Sequence, residues 1–157
     1  MSEFLAPKRM IELEIDGQSV RVFEGETILG ACRRLGIDTP TLCYGDTLEP
    51  ANACRVCVVE VEGSRVLAPA CSRKAEAGMK VQTDSERVRH SRKMVLEFLG
   101  SSVDMSLTDH ITEWNAEYDA DPTRYGADAA TVAQPVKVDN DLFVRDFESG
   151  ALLTTRF

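Results

Sequence analysis

Alternating apolar and polar residues near the start of the chain predict a β-hairpin followed by a helix. Residues 10–15 and 20–22 alternate at the two-residue period of a strand, and the Asp-Gly pair at 16–17 between them is typical of a tight turn. Thr27 stands where it would cap a helix, and Gly36 where it would end one. The apolar stripe of that helix would comprise Ile28, Leu29, Ala31, Cys32 and Leu35.

The next part of the chain predicts more strands after an irregular loop. Residues 37–55 contain prolines, glycine and asparagine without a regular apolar period. Strands are expected at 56–61, 65–68 and 79–83, the first two joined by a Glu-Gly turn. The order hairpin, helix, loop, hairpin, strand predicts a small mixed sheet crossed by one helix, which is an α+β fold.

Two helices are expected after the last of these strands. The first is capped by Asp84 or Ser85 and runs to about Leu99, and the second, shorter one is capped by Thr108. The apolar side of the first would comprise Val88, Met94, Val95, Phe98 and Leu99, and that of the second Ile111, Trp114 and Tyr118.

The remainder of the chain predicts little regular structure. Residues 119–140 are rich in Ala, Asp, Thr and Pro and are expected to form loops, with a short strand at 142–144. We therefore divide the chain into a tail at 1–9, a domain at 10–83 and a helical and irregular extension at 84–157.

Composition restricts the class of protein. An apolar content of 43% and a mean hydropathy of −0.19 are typical of a soluble globular protein. No apolar run has the length of a membrane span, and no signal peptide is recognisable, so a cytoplasmic location is expected. The formal charge of −8 argues against nucleic-acid binding, because phosphates would be repelled.

Four cysteines carry the candidate chemistry. Cys43, Cys54, Cys57 and Cys71 follow the pattern C-x10-C-x2-C-x13-C, with three of them in or next to the irregular loop. Four thiolates can hold a two-iron, two-sulfide cluster, with two on each tetrahedral iron. The fifth, Cys32, lies on the predicted apolar face of a helix and is expected to be a buried, inert thiol. No residue is assigned a catalytic role.

Other interpretations of the cysteines stay open at this point. They could be four unrelated buried thiols, or a structural zinc site, although zinc ribbons usually have two C-x2-C knuckles and this chain has one. A Rieske centre needs two histidine ligands, and neither His90 nor His110 is beside a cysteine. The basic run at 87–93 is either a solvated helix face or a docking patch.

Five short segments carry a family resemblance: IELEIDG at 11–17, ETIL at 26–29, PTLCY at 40–44, ACRVCVVE at 53–60 and PAC at 69–71. They resemble the N-terminal 2Fe–2S ferredoxin domain of the complex I large iron–sulfur subunit. The same domain occurs in NAD-linked and iron-only hydrogenases and in NAD-linked formate dehydrogenases. The resemblance extends over about residues 10–99.

This resemblance implies a β-grasp fold in which Cys43, Cys54, Cys57 and Cys71 are the ligands of the 2Fe–2S cluster. It also implies an electron-transfer subunit of a multisubunit oxidoreductase, not an enzyme by itself. Its partners would be a flavin- or NAD-handling subunit and a catalytic redox subunit. A free-standing ferredoxin shuttle and a non-redox structural or assembly module are the alternatives.

The chain also departs from this family. Residues 101–110 contain no cysteine, and Met105 stands about where the family has the first cysteine of a four-iron cluster. Residues 139–147 resemble the segment that precedes a two-cluster module, but no cysteines follow. We therefore expect a shortened relative with one 2Fe–2S cluster and no 4Fe–4S cluster.

Overall fold

The computed structural model describes residues 8–105 and 108–126, and a mixed five-stranded sheet is the centre of the fold. The strands are β1 Met10–Ile15, β2 Gln18–Phe23, β3 Val58–Val61, β4 Ala68–Pro69 and β5 Lys80–Gln82, and the helices are α1 Ile28–Arg34, α2 Glu86–Ser102 and α3 Ile111–Glu117. The strand order is β2-β1-β5-β3-β4, with β1 and β5 parallel and the other neighbours antiparallel. The predicted α+β fold is confirmed.

The first hairpin forms as predicted. Asp16 and Gly17 both have positive φ, 48° and 79°, as a tight turn matched to the strand twist requires. The register pairs Ile15 with Gln18 across this turn. Alternation then directs Leu13 and Ile15 into the core.

Helix α1 also begins and ends where the sequence predicts. The Thr27 hydroxyl accepts a hydrogen bond from the backbone N–H of Gly30 at 3.2 Å. Gly36, with φ of 72°, follows the helix in the left-handed conformation that favours glycine. Cys32 is fully buried, which confirms the predicted buried position of this thiol.

The strand expected at 65–68 is mostly wrong. The structure has only the two-residue β4, because the preceding residues form a local turn. The Ser64 hydroxyl donates to the carbonyl of Val66 at 2.7 Å and accepts from its N–H at 3.3 Å. Val66 is 70% exposed and does not join the sheet core.

Helix α2 begins as predicted, and Val88 and Val95 of its predicted apolar side lie in or against the core, but the rest of the buried face differs. The Ser85 hydroxyl accepts from the N–H of Val88 at 3.3 Å, and the helix continues past Leu99. Met94 and Phe98, expected on the apolar side, are exposed. The buried residues of the helix are Val88, Arg92, Leu96, Glu97 and Gly100. Arg92 and Glu97 are therefore buried in this helix, although the sequence pattern predicts a buried face made of apolar residues.

Helix α3 has the predicted apolar stripe but not the predicted cap. His110, at φ of 61°, is the N-cap and makes no side-chain capping bond. Thr108 instead closes the turn before the helix, because its N–H donates to the carbonyl of Met105 at 2.9 Å. The strand predicted at 142–144 and most of the predicted loop region lie outside the described residues.

Apolar side chains form two cores. The sheet core lies between the sheet and α1, and it includes Cys57 and Cys71. The helix core joins α2 and α3 to the irregular loop. Its members are Val56, Leu96 and Tyr118, with Leu42, Cys54, Val95, Ile111, Trp114 and Ala120 packed against them.

Candidate iron–sulfur site

The four candidate cysteines lie on the irregular loop and at the ends of two paired strands. Cys43 and Cys54 belong to the loop, Cys57 immediately precedes β3, and Cys71 follows β4 closely. Pairing of Val58 with Pro69 brings the last two cysteines near each other. The short strands therefore position half of the site, and the loop positions the other half.

Hydrogen bonds and strand pairing associate the cysteines two by two. The N–H of Cys54 donates to the sulfur of Cys43 at 3.4 Å, and the N–H of Ala70, next to Cys71, donates to the carbonyl of Cys57 at 3.1 Å. Cys71 also interacts electrostatically with both members of the other pair. The structure thus brings the four predicted residues together. Within the described ranges, no three His, Cys, Asp or Glu side chains converge on a position for a single metal ion, whereas a two-iron cluster needs only two thiols at each iron.

Burial raises the pKa of two of these thiols. Burial, supported by the Cys57 side chain, raises the pKa of Cys71 to about 12, and burial also raises the pKa of Cys54. Burial opposes ionisation of Cys43 too, but the backbone N–H groups of Cys54 and Ala53 lower its pKa. Coordination to a metal ion removes the proton of a thiol, so even weakly acidic thiols can bind iron as thiolates.

The loop around Cys54 directs backbone donors inward. Asn52 and Arg55 have positive φ, 52° and 63°, on either side of this residue. The N–H of Cys54 points at the sulfur of Cys43 at 3.4 Å. Donors of this kind stabilise negative charge on thiolate sulfur. Asparagine tolerates the left-handed conformation that Asn52 adopts, whereas that of Arg55 has no sequence signal, because arginine rarely adopts it.

Side chains on the outer side of the loop anchor it to α1. The Arg33 guanidinium lies over the ring of Tyr44 at 5.2 Å and forms an ion pair with Asp46 at 2.6 Å. Leu48, further along the loop, is 73% exposed. The site is therefore held to the sheet core on one side and borders solvent near Cys43.

The basic run on α2 mostly makes contacts within the chain. Arg87 pairs with Glu60 on β3, and Arg89 pairs with Asp84 just before the helix. Lys93 pairs with Asp119 after α3, at 2.8 Å. These contacts tie α2 to its neighbours, and because Arg92 of the same run is buried, the run is only in part a solvated helix face.

The donor set fits a 2Fe–2S cluster. Four cysteines that the backbone associates two by two match the need for two thiolates on each tetrahedral iron. A backbone N–H already aimed at a thiol sulfur matches the donors that such clusters accept.

Comparison with known families agrees with this geometry. Residues 8–86, half of the chain, match the family described as the 2Fe-2S iron–sulfur cluster binding domain. The chain belongs to this family. The match contains all four candidate cysteines.

Curated relatives of this 2Fe-2S domain are subunits of oxidoreductases. A subunit of an NADH-quinone oxidoreductase from Rhizobium meliloti is 46% identical over 90 residues, which cover 57% of this chain and 11% of that protein. NADP-reducing hydrogenase subunit HndD of Solidesulfovibrio fructosivorans is 48% identical over 107 residues, covering 64% of this chain and 17% of the relative. The chain therefore spans less than a fifth of these relatives.

A third relative extends the match beyond the family domain. NADPH-Fe(3+) oxidoreductase subunit alpha of Geobacter sulfurreducens is 37% identical over 121 residues, which cover 77% of this chain and 14% of the relative. In a chain of 157 residues, a match of that length must include all of α2 and α3. The likeness is therefore not confined to the sheet and the cysteine loop.

A solved structure has the same fold. The NAD+-reducing [NiFe]-hydrogenase in its H2-reduced state superposes with a TM-score of 0.63 at 23% identity, covering 74% of this chain and 52% of that one. At this identity the likeness concerns the fold alone. Together with the family match it confirms the predicted β-grasp, ferredoxin-like fold.

Proposed function

We propose that Cys43, Cys54, Cys57 and Cys71 hold one 2Fe–2S cluster and that the chain carries single electrons within a multisubunit oxidoreductase. The supporting observation is that the backbone brings Cys43 near Cys54, through the N–H to sulfur bond at 3.4 Å, and Cys57 near Cys71, through the pairing of β3 with β4. Each pair would supply the ligands of one iron. When bound, the cluster supplies one-electron redox chemistry.

The residues of the chain would hold this group and control its surroundings. Cys57 and Cys71 are buried in the sheet core, which excludes water from one side of the site. The N–H of Cys54 donates to the sulfur of Cys43, which stabilises the additional negative charge of the reduced state. The chain would thus bind and tune the cluster without performing substrate chemistry, and we propose no catalytic residue.

The relatives suggest the kind of assembly. Their names describe NADH-quinone oxidoreductase, NADP-reducing hydrogenase and NADPH-Fe(3+) oxidoreductase subunits. We propose that this chain relays electrons between a flavin- or NAD-handling subunit and a catalytic redox subunit of a complex I-like, hydrogenase or formate dehydrogenase type. One 2Fe–2S cluster and no 4Fe–4S cluster is part of this proposal.

The proposed location is cytoplasmic, and it rests on the sequence. No helix in the part of the chain that the structure describes is long and apolar enough to span a bilayer. Fractionation of the native cells, followed by detection of the chain in each fraction, would test the location. Recovery in the membrane fraction after high-salt washing would contradict it.

Anaerobic reconstitution of the full chain with ferrous iron and sulfide tests the cofactor. We expect about two irons and two sulfides per chain and a visible absorption spectrum that bleaches on one-electron reduction. Cys57→Ala should lose the cluster, whereas Cys32→Ala, which removes a buried thiol outside the site, should retain it. Zinc bound in place of iron, or an intact cluster in Cys57→Ala, would contradict the assignment.

Isolation from the native source tests the assembly. An electron-transfer subunit should co-purify with a flavoprotein and a metalloenzyme, and addition of NADH or NADPH to that complex should reduce the 2Fe–2S cluster. A chain recovered only as a free monomer that accepts electrons from a soluble reductase would favour the shuttle function instead.

A further inference from the structure

A buried arginine connects α2 to the cysteine loop and to α3. Arg92 is 2% exposed, although arginine is rarely buried without a partner. One of its terminal nitrogens donates to the carbonyl of Val58 at 3.0 Å, and the other donates to the hydroxyl of Tyr118 at 2.7 Å. Both partners are neutral, and the guanidinium also lies over the Tyr118 ring, with its central carbon 5.4 Å from the ring centroid.

Among the described residues, no carboxylate forms an ion pair with Arg92, and its third nitrogen, Nε, has no hydrogen-bond partner. The other buried charge of this helix differs, because Glu97 pairs with Arg124 at 3.5 Å. A buried cation without a counter-ion is costly unless a negative group lies nearby. In the part of the chain that the structure describes, no carboxylate supplies this negative charge to Arg92.

The position of Arg92 places this charge beside the candidate iron–sulfur site. Val58, whose carbonyl it contacts, directly follows Cys57 in the chain. Tyr118, whose hydroxyl it contacts, lies in the helix core against which Cys54 packs. The guanidinium thus contacts the residue that follows Cys57 and a side chain of the core against which Cys54 packs.

We propose that Arg92 is a fixed counter-cation that raises the reduction potential of the bound 2Fe–2S cluster. This inference rests on the proposed function, because it requires the cluster. A cluster with four thiolates is negative when oxidised and gains another negative charge on reduction. A buried positive charge therefore favours the reduced state more than the oxidised state, and little water is present to screen it.

The expected effect is measurable. A unit charge roughly 10 Å from a redox group, at an effective dielectric constant of about 20, changes a one-electron equilibrium by about tenfold or somewhat more. A tenfold change in a one-electron equilibrium corresponds to about 59 mV. We therefore expect removal of the Arg92 charge to lower the equilibrium constant for one-electron reduction of the cluster about tenfold.

Three variants of the full chain separate charge from structure. Arg92→Gln removes the charge and retains a hydrogen-bond donor, whereas Arg92→Lys keeps the charge and loses the planar two-armed contact. Arg89→Gln is the matched control, since Arg89 is on the same helix and lies over the same Tyr118 ring at 5.3 Å but is partly exposed. Each protein is reconstituted and its potential is measured by titration followed by absorption and EPR.

The expected result is an equilibrium about tenfold less favourable for Arg92→Gln, with Arg92→Lys closer to the wild type and Arg89→Gln within about twofold of it. An unchanged potential in Arg92→Gln would overturn the inference, and so would equal losses in the Gln and Lys variants. An equal shift in Arg89→Gln would also overturn it, because any lost surface charge would then suffice.

Failure of the variants to hold a cluster is also informative. If Arg92→Gln loses the cluster, Arg92→Met replaces it as the neutral variant. Loss of the cluster in both neutral variants with retention in Arg92→Lys supports the counter-cation role, whereas loss in all three overturns it in favour of a packing role. Absence of a 2Fe–2S spectrum in the wild-type chain would instead contradict the proposed function itself.

Discussion

Gly100 provides a sharp test of how α2 packs against the segment after α3. A Cβ atom added at this position would lie 2.6 Å from the Cβ of Pro122 and 3.0 Å from its Cα. Real Cβ atoms do not approach other heavy atoms so closely, and one of the two is a backbone atom. Gly100→Ala must therefore displace either the helix or the segment that contains Pro122.

Two opposing effects set the size of the change. In a helix interior, replacing glycine with alanine normally stabilises by about 1 kcal/mol. Overpacking of a close contact costs about 1–3 kcal/mol. Because the obstacle at Gly100 includes backbone, we expect the packing cost to prevail and the free energy of unfolding to fall by about 1–2 kcal/mol.

The chain carries a convenient probe of this contact. Trp114, its only tryptophan, packs in the helix core against the cysteine loop. Urea unfolding followed by tryptophan emission and by circular dichroism would measure the loss of unfolding free energy. If the segment that contains Pro122 detaches first, the red shift of the emission should occur at lower urea than the change in circular dichroism. Gly30→Ala in α1 is the matched control, because the added Cβ would meet only the flexible side chain of Glu26.

A double-mutant cycle isolates the contact itself. Pro122→Gly removes the Cβ atom that the new methyl group would meet at 2.6 Å, so Gly100→Ala should cost less in that background. A Gly100→Ala protein as stable as the wild type, with unchanged tryptophan emission, would refute the close packing of α2 on this segment.

Further predictions concern the caps, the helix core and one charged pair. Ser85→Ala should lower the free energy of unfolding by about 1 kcal/mol or more in urea titrations, because it removes the α2 cap and the 2.6 Å bond to Glu60; an unchanged midpoint would contradict it. Leu96→Ala should cost about 2–5 kcal/mol in the same assay, since Leu96 is fully buried in the helix core. The hydrogen bond between His110 and Glu113 raises the pKa of His110 above its ordinary value of 6.5. The pair therefore stabilises α3 fully below pH 6.5, and this contribution is lost as the pH rises through the raised pKa. NMR titration should show this raised pKa fall in Glu113→Gln, and a pKa that stays raised would show that another group is responsible.

The sheet and the cysteine loop follow closely from local sequence signals. The Asp16-Gly17 turn, the Thr27 cap and Gly36 each depend on neighbouring residues only, so the chain itself specifies them. The site assignment from cysteine spacing, which stays a prediction, also uses a local signal, since two of the thiols lie on one loop. Asn52 could be expected in a left-handed conformation because asparagine tolerates it.

Helix α2 shows what local signals do not contain. Its buried row repeats every fourth residue through Val88, Arg92, Leu96 and Gly100, but a charged side chain in that row is normally evidence for an exposed face. The groups that accept hydrogen bonds from Arg92 belong to β3 and to the residue after α3. Only the tertiary structure brings them together, so the sequence pattern predicts Met94 in the core although it is exposed.

The extension after the domain is part of the candidate site, because the cysteine loop lies between two cores. Cys57 and Cys71 belong to the sheet core, whereas Cys54 and the neighbouring Val56 pack in the helix core with residues of α2 and α3. Water at an iron–sulfur site changes its potential, since solvent screens charge and competes for hydrogen bonds. Displacement of α3 would therefore expose Cys54 while Cys57 and Cys71 stayed buried, so in a chain that holds the proposed cluster the packing of the extension would affect its reduction potential.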